Sequence, residues 1–141
     1  MSGPALKQHD AHQSIHNAAF YEAEELTELV RHLLAAGERS KAQDTAQLVI
    51  EHWQTRTLRH AAEEEEGLYQ EVLMSNSARI QDITALTRDH NLMRQLVAEA
   101  EALIVQSEGL ELALARFDML LWMVQAHSRE EEKRLLRDIH L

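Results

Sequence analysis

A single proline, Pro4, and four glycines in 141 residues leave the chain few places to turn sharply. Sheets need a turn every few residues, and tight turns draw heavily on glycine, proline and their substitutes. A chain this poor in both is confined to long helices with few connections, so an all-α fold is expected. Pro4 lies ahead of any expected element. A hydrophobic share of 45% is enough for one core at this length, and a single domain spanning 1–141 is expected.

Hydrophobic periodicity divides the chain into four segments. The first, about residues 5–36, carries an inward stripe of His12, His16, Ala19, Ala23, Leu26, Val30 and Leu33. The spacing alternates between four and three, as one face of a helix requires. Gly37 reads as a C-cap, and Ser40 as the N-cap of the next helix. The second segment, about 41–74, has the stripe Ala42, Ala46, Val49, Trp53, Arg56, His60, Glu63 or Glu64, Gly67 and Glu71, widened by Leu48, Leu68 and Val72. A polar break at Ser75-Asn76-Ser77 leads to the third, about 78–106, with Ile83, Leu86, His90, Met93, Val97, Ala100 and Ile104 facing inward. After Ser107-Glu108-Gly109 the fourth runs from about 110 to the end, with Ala113, Phe117, Leu120, Val124, His127, Glu131 and Leu135. Four helices with short turns predict an up-down-up-down antiparallel bundle.

Two stretches bear chemistry. His60-Ala61-Ala62-Glu63-Glu64 and His127-Ser128-Arg129-Glu130-Glu131 share the pattern His-x-x-Glu-Glu. Residues three and four apart share a helix face, so each copy sets an imidazole beside a carboxylate. Such a pair suits iron, zinc or manganese, and mixed nitrogen–oxygen sites with open positions suit non-heme iron. The bundle topology also aligns the histidines in height. With the first turn near Glu38, His16 and His60 are each 22 residues from it. With the second near Asn76, His60 is 16 before and His90 14 after. With the third near Glu108, His90 is 18 before and His127 19 after. One histidine per helix falls in one layer, with Glu64 and Glu131 a turn away. Two converging carboxylates repel unless a cation lies between them. A pair of divalent cations bridged by Glu64 and Glu131, each with two histidines, resolves this and leaves room for a bridging oxygen and a small exogenous molecule.

His12 stands one turn before His16 at the height of the glutamates, and is a candidate further ligand. Glu63 and Glu130 are alternative ligands, supports behind the ligands, or solvated; Glu65, Glu66 and Glu132 are expected in solvent. His9, His32, His52 and His140 are expected at the surface or boundary. Trp53 and Phe20, one or two turns from the site, read as core or as a gate to the ligand. Gly67 allows close packing or leaves room for a ligand to enter. Arg56 and Arg94, on inward faces, either pair with a carboxylate or reach to the edge.

The same sequence excludes several classes. With no cysteine there is no disulfide, zinc finger, iron–sulfur cluster or thiol catalysis. A net charge of −10 argues against nucleic acid as a partner. No apolar run reaches the ~20 residues of a membrane span, and the N-terminal stretch lacks the apolar segment of a signal peptide, so a cytoplasmic protein, monomer or homodimer, is expected. Ferritin-like diiron sites use Glu-x-x-His, and no glutamate here is followed by histidine three residues later.

His16, His60-x-x-x-Glu64, Asp89-His90 and His127-x-x-x-Glu131 together resemble the hemerythrin-like family of HHE cation-binding domains, over nearly the whole chain. The resemblance implies a four-helix bundle with two iron ions joined by an oxo or hydroxo bridge. It implies His16, His60, His90 and His127 as terminal ligands and Glu64 and Glu131 as bridges. It further implies that a small diatomic or peroxidic ligand (dioxygen, nitric oxide or peroxide) is bound for sensing, storage or detoxification. Alternatives are a diiron oxidoreductase that consumes peroxide, a structural bundle whose metal site is closed, and a zinc hydrolase. The chain departs from the oxygen-carrying branch, which has His-x-x-x-His on the third helix and ends with His-x-x-x-x-Asp; here Leu86 and Arg94 flank His90. The iron-cluster-repair branch carries an additional cysteine-bearing domain, and no cysteine occurs here.

Overall fold

The computed structural model describes residues 3–106 and 108–136, with side chains over 11–106 and 108–135. His140, the side chain of His9, and Ser107 of the third break lie outside the described residues. The chain forms a four-helix bundle with no strand among the described residues. Helix α1 spans Gly3–Ala35. The second rod is built of α2 (Arg39–His52), a π turn (Trp53–Thr57), α3 (Leu58–Glu66) and α4 (Leu68–Ser75). A 3₁₀ turn, Ser77–Arg79, precedes α5 (Ile80–Ile104). Helix α6 (Leu110–Glu131) continues into a second π turn, Glu132–Leu136. Helix α1 packs against α2 and α6, and α5 against α2 and α6, so the rods close a ring in chain order.

Pro4 lies within the first turn of α1 rather than ahead of it. No hydrogen bond is lost there, because the first amides of a helix have no partner inside it. Gly37 takes φ 75° and closes α1 with a Schellman turn: Glu38 N–H bonds Leu33 O at 2.9 Å and Gly37 N–H bonds Leu34 O at 3.1 Å. The turn delivers the chain directly into α2 at Arg39, so Ser40 is already helical and does not cap it. Gly109 permits the third connection, since a Cβ there would lie 1.9 Å from Leu103 O.

The inward stripes of α5 and α6 are buried throughout. The second rod departs from its expected pattern at three places. The π turn inserts an extra residue into the helical spiral, and Arg56 leaves the inward face to meet Glu22 at 2.9 Å on the surface. Leu48 is exposed, and Thr45 and Ile50 are buried on either side of it. The rod then breaks at Gly67 (φ −106°, ψ −89°), after which Glu71 points to solvent.

The core is two separate apolar clusters. The larger centres on Trp53, Phe117, Met93 and Ile50; the smaller comprises Tyr69, Ile83, Leu86 and Leu135. Along α5, His90 lies between Leu86 and Met93; along α6, His127 and Glu131 lie between Val124 and Leu135. The polar layer therefore separates the clusters. No helix among the described residues is long and apolar enough to cross a membrane.

Candidate metal centre

Helix α1 contributes His12 and His16, one turn apart, with ring centroids 4.2 Å from each other. His60 on α3 faces both, at 5.0 and 5.1 Å. Glu64 is one turn further along α3, His90 comes from α5, and His127 and Glu131 come from α6. These seven side chains form two groups that share Glu64. His12, His16, His60 and Glu64 offer donor atoms all within 4.8 Å of one another, and so do Glu64, His90, His127 and Glu131. All six residues expected at the site, and His12 with them, are thus brought together.

His12 lies closer to the carboxylates than His16. Its Nε2–H donates to Glu64 Oε2 and stands 3.0 Å from Glu131 Oε1. His16 Nε2 is 3.8 and 3.6 Å from the same oxygens. His60 Nε2 is 3.5 Å from Glu64 Oε2, His90 Nε2 3.3 Å from Glu64 Oε1, and His127 Nε2 3.5 Å from Glu131 Oε2.

The outer nitrogens of two of these rings are fixed by carboxylates. His90 Nδ1 bonds Glu65 Oε2 at 2.7 Å, and His127 Nδ1 bonds Asp89 Oδ2 at 2.8 Å. An ionised carboxylate only accepts, so each Nδ1 carries the hydrogen and each Nε2 offers its lone pair inward. These two Nε2 atoms lie 3.0 Å apart. Two lone pairs at that distance need a proton or a cation between them. Glu65, expected in solvent, is instead half-buried, because Arg94 clamps it with two bonds of 3.0 Å and His90 holds its inner oxygen. Arg94 thereby takes the carboxylate-pairing alternative. Glu63 and Glu66 are exposed, Glu130 is half-buried and pairs with Arg134 at 3.3 Å, and Glu132 is half-buried. His32 is exposed, and His52 bonds Ala19 O at 3.0 Å on the boundary between α2 and α1.

The charge balance of the layer asks for cations. Burial pushes the Glu64 and Glu131 carboxyls toward the neutral form, yet hydrogen bonds from histidines outweigh it and hold both below the usual carboxylate range. Burial lowers His12 and His127 too, but Glu131 and Glu64 beside His12 raise it to about 10, and Asp89 and Glu131 raise His127 to about 9. His16, buried without such a bond, falls to about 4. Without metal, protons on histidines supply the positive charge. Even so, His60 Nε2, His12 Nδ1 and Glu131 Oε1 remain buried with no hydrogen-bond partner. Orphaned buried donors and acceptors are rare and costly. A cation between the groups would satisfy His60 Nε2 and Glu131 Oε1. The residues present therefore fit a metal pair.

A space of about 30 Å³ lies among His16, His60, Glu64, His90 and His127, the size of one water. A larger cavity, about 160 Å³, opens onto His12 and His16 from the groove between α1 and α6, with Asn17, Phe20, Ser128 and Arg129 on its wall. Phe20 is partly buried, packed against the larger core cluster and on the cavity wall, while Trp53 is buried in the core.

Tyr69 was not legible as a site residue. It is fully buried, its Oη donates to Glu131 Oε2, and its ring stacks on His90 at 5.5 Å and 7°. Burial, with Glu131 and Glu64 nearby, holds its phenol strongly protonated in the metal-free protein. The only signal was Gly67 two residues earlier, which breaks the helical phase.

Glu65→Ala removes the acceptor that orients His90 and leaves Arg94 with its bond to Asn91. Loss of such an outer partner costs about 10–100-fold in metal affinity. A chelator competition titration measures it, and wild-type affinity in the variant would contradict an orienting role.

A family model described as the hemerythrin HHE cation-binding domain matches residues 9–139. No curated protein and no solved structure matches the chain.

Proposed function

The chain belongs to the hemerythrin family of HHE cation-binding domains, and from that premise we propose that it holds two iron ions and uses them to bind a small diatomic or peroxidic ligand. The observation that carries this is the sharing of Glu64 between two donor groups, with Glu131 buried beside it and orphaned at Oε1. In this reading Glu64 and Glu131 bridge the ions. His12, His16 and His60 hold one, and His90 and His127 hold the other. Iron supplies open coordination positions and one-electron chemistry once bound.

The chain's own residues do the rest. Asp89 and Glu65 keep the His127 and His90 rings in the tautomer that offers Nε2. The two apolar clusters keep bulk water from the layer on either side. The cavity between α1 and α6 gives a molecule of two or three atoms a way in to His12 and His16. Sensing or storage needs reversible binding there. A second reading, turnover of peroxide, is favoured by the polar wall that Asn17, Ser128 and Arg129 give this cavity, since such groups can orient a ligand and move protons. The expected test result is a near-ultraviolet charge-transfer band in the iron-loaded, air-exposed protein that shifts on adding azide. A spectrum indifferent to azide would mean a coordinatively closed, structural site.

A further inference from the structure

The two donor groups are unequal. One offers three imidazoles, from His12, His16 and His60; the other only two, from His90 and His127, although both include Glu64. On the poorer side stands Tyr69. Its Oη lies 3.4 Å from His90 Nε2 and against Glu131 Oε2, two atoms that face the same ion in the proposed centre. Donors at neighbouring corners of an octahedral ion, each about 2.1 Å from it, are about 3.0 Å apart. His90 Nε2 and His127 Nε2 have that separation, and Tyr69 Oη sits at close to the same distance from His90.

Resting on the diiron reading above, we propose that Tyr69 is a metal ligand: its phenolate oxygen joins the coordination of the ion held by His90 and His127. The step is a proton-for-metal exchange. The O–H bond of Tyr69 breaks, an oxygen–iron(III) bond forms, and the proton passes to solvent buffer, because Glu131 is itself occupied as a bridge. No electron moves. A nearby dication or trication inverts the local field that otherwise keeps the phenol protonated. A phenolate is a hard, anionic oxygen donor of a kind that proteins place on ferric iron.

The surroundings agree with a filled position on this side. Tyr69 packs into the smaller apolar cluster with Ile83, Leu86 and Leu135, away from solvent. The 160 Å³ cavity opens on the opposite side, at His12 and His16. Counting Glu64 and Glu131 as bridges, each ion then holds five protein donors and keeps one further position, which at the three-histidine ion the cavity reaches, and the tyrosine-bound ion is biased toward the ferric state. That bias weakens reversible dioxygen binding, which starts from two ferrous ions, in favour of redox turnover.

The test is the visible spectrum of the ferric, iron-loaded protein. A phenolate-to-iron(III) charge-transfer band is expected in the wild type. Tyr69→Phe should lose it while keeping the iron content and the near-ultraviolet band. Resonance Raman excitation within the band should enhance tyrosine ring modes that shift when tyrosine is ring-deuterated, which needs no variant. Tyr21, the other tyrosine, is 60% exposed, and Tyr21→Phe should leave the band unchanged. A wild type that binds two irons but shows no visible band overturns the tyrosine ligand alone, as does a band that survives in Tyr69→Phe. A wild type that takes up no iron overturns the diiron reading and this assignment together.

Discussion

Glu131→Ala should empty both halves of the centre. Its Oε1 lies 3.0 Å from His12 Nε2 and 3.6 Å from His16 Nε2, while Oε2 faces His127 at 3.5 Å and takes the Tyr69 hydrogen bond. One carboxylate thus touches donors of both groups, and the acids beside it are placed differently: Glu130 is turned to Arg134 and Glu132 lines the outer cavity. Loss of a supporting residue costs about 10–100-fold in metal affinity, so loss of a bridging ligand should cost at least about 100-fold at each ion. His12→Ala gives the contrast. His12 bonds one donor group's glutamate and approaches Glu131, but it is remote in the chain from His90 and His127. Its removal should weaken the ion on the α1 side more than the other. Elemental analysis after dialysis against a weak chelator separates the two variants, and circular dichroism checks that each remains helical. Wild-type metal content in Glu131→Ala would defeat the bridging role.

The second large effect is on stability. Removing the metal leaves two buried carboxylates and a layer of histidines that protons alone must neutralise, with buried atoms still unpartnered. Binding to the native state stabilises it by about 4 kcal/mol when free metal is 1,000 times its dissociation constant. At about 2–4 °C per kcal/mol for domains near 150 residues, the metal-loaded protein should melt about 8–16 °C above the metal-free one. Differential scanning calorimetry of the two forms measures this. Equal melting temperatures would show that the metal binds outside the layer between the two core clusters, for instance among surface carboxylates.

How much of the molecule could be read from the sequence depended on which rod the residue occupied. Helices α5 and α6 run without interruption, so a period of 3.6 residues keeps its phase from end to end, and every inward position named from the sequence is buried. The convergence of the histidines was legible for the same reason. Symmetric counting about three turns needs only helical rise, and one inserted residue shifts height by about 1.5 Å. Rotation about the axis is less forgiving. The π turn at Trp53–Thr57 and the break at Gly67 each rotate the facing of the residues C-terminal to them. Arg56 and Glu71 went outward, and Tyr69 went inward unannounced. Glu65 was misplaced for a different reason. It lies off the stripe and belongs in solvent by pattern, but Arg94 and His90 on the neighbouring helix draw it in. Contacts between helices of this kind have no signature in the periodicity of either helix. His12 was an open choice because height alone does not separate it from His16; the side-chain geometry brings both to the carboxylates.

The central claim is a pair of metal ions sharing Glu64 and Glu131, and the most direct measurement is metal per chain. Apoprotein loaded anaerobically with ferrous iron, desalted and analysed for iron and protein should contain about two irons per chain. One metal per chain, or none, would contradict a bridged pair and reduce the histidine–glutamate layer to a mononuclear or metal-free arrangement.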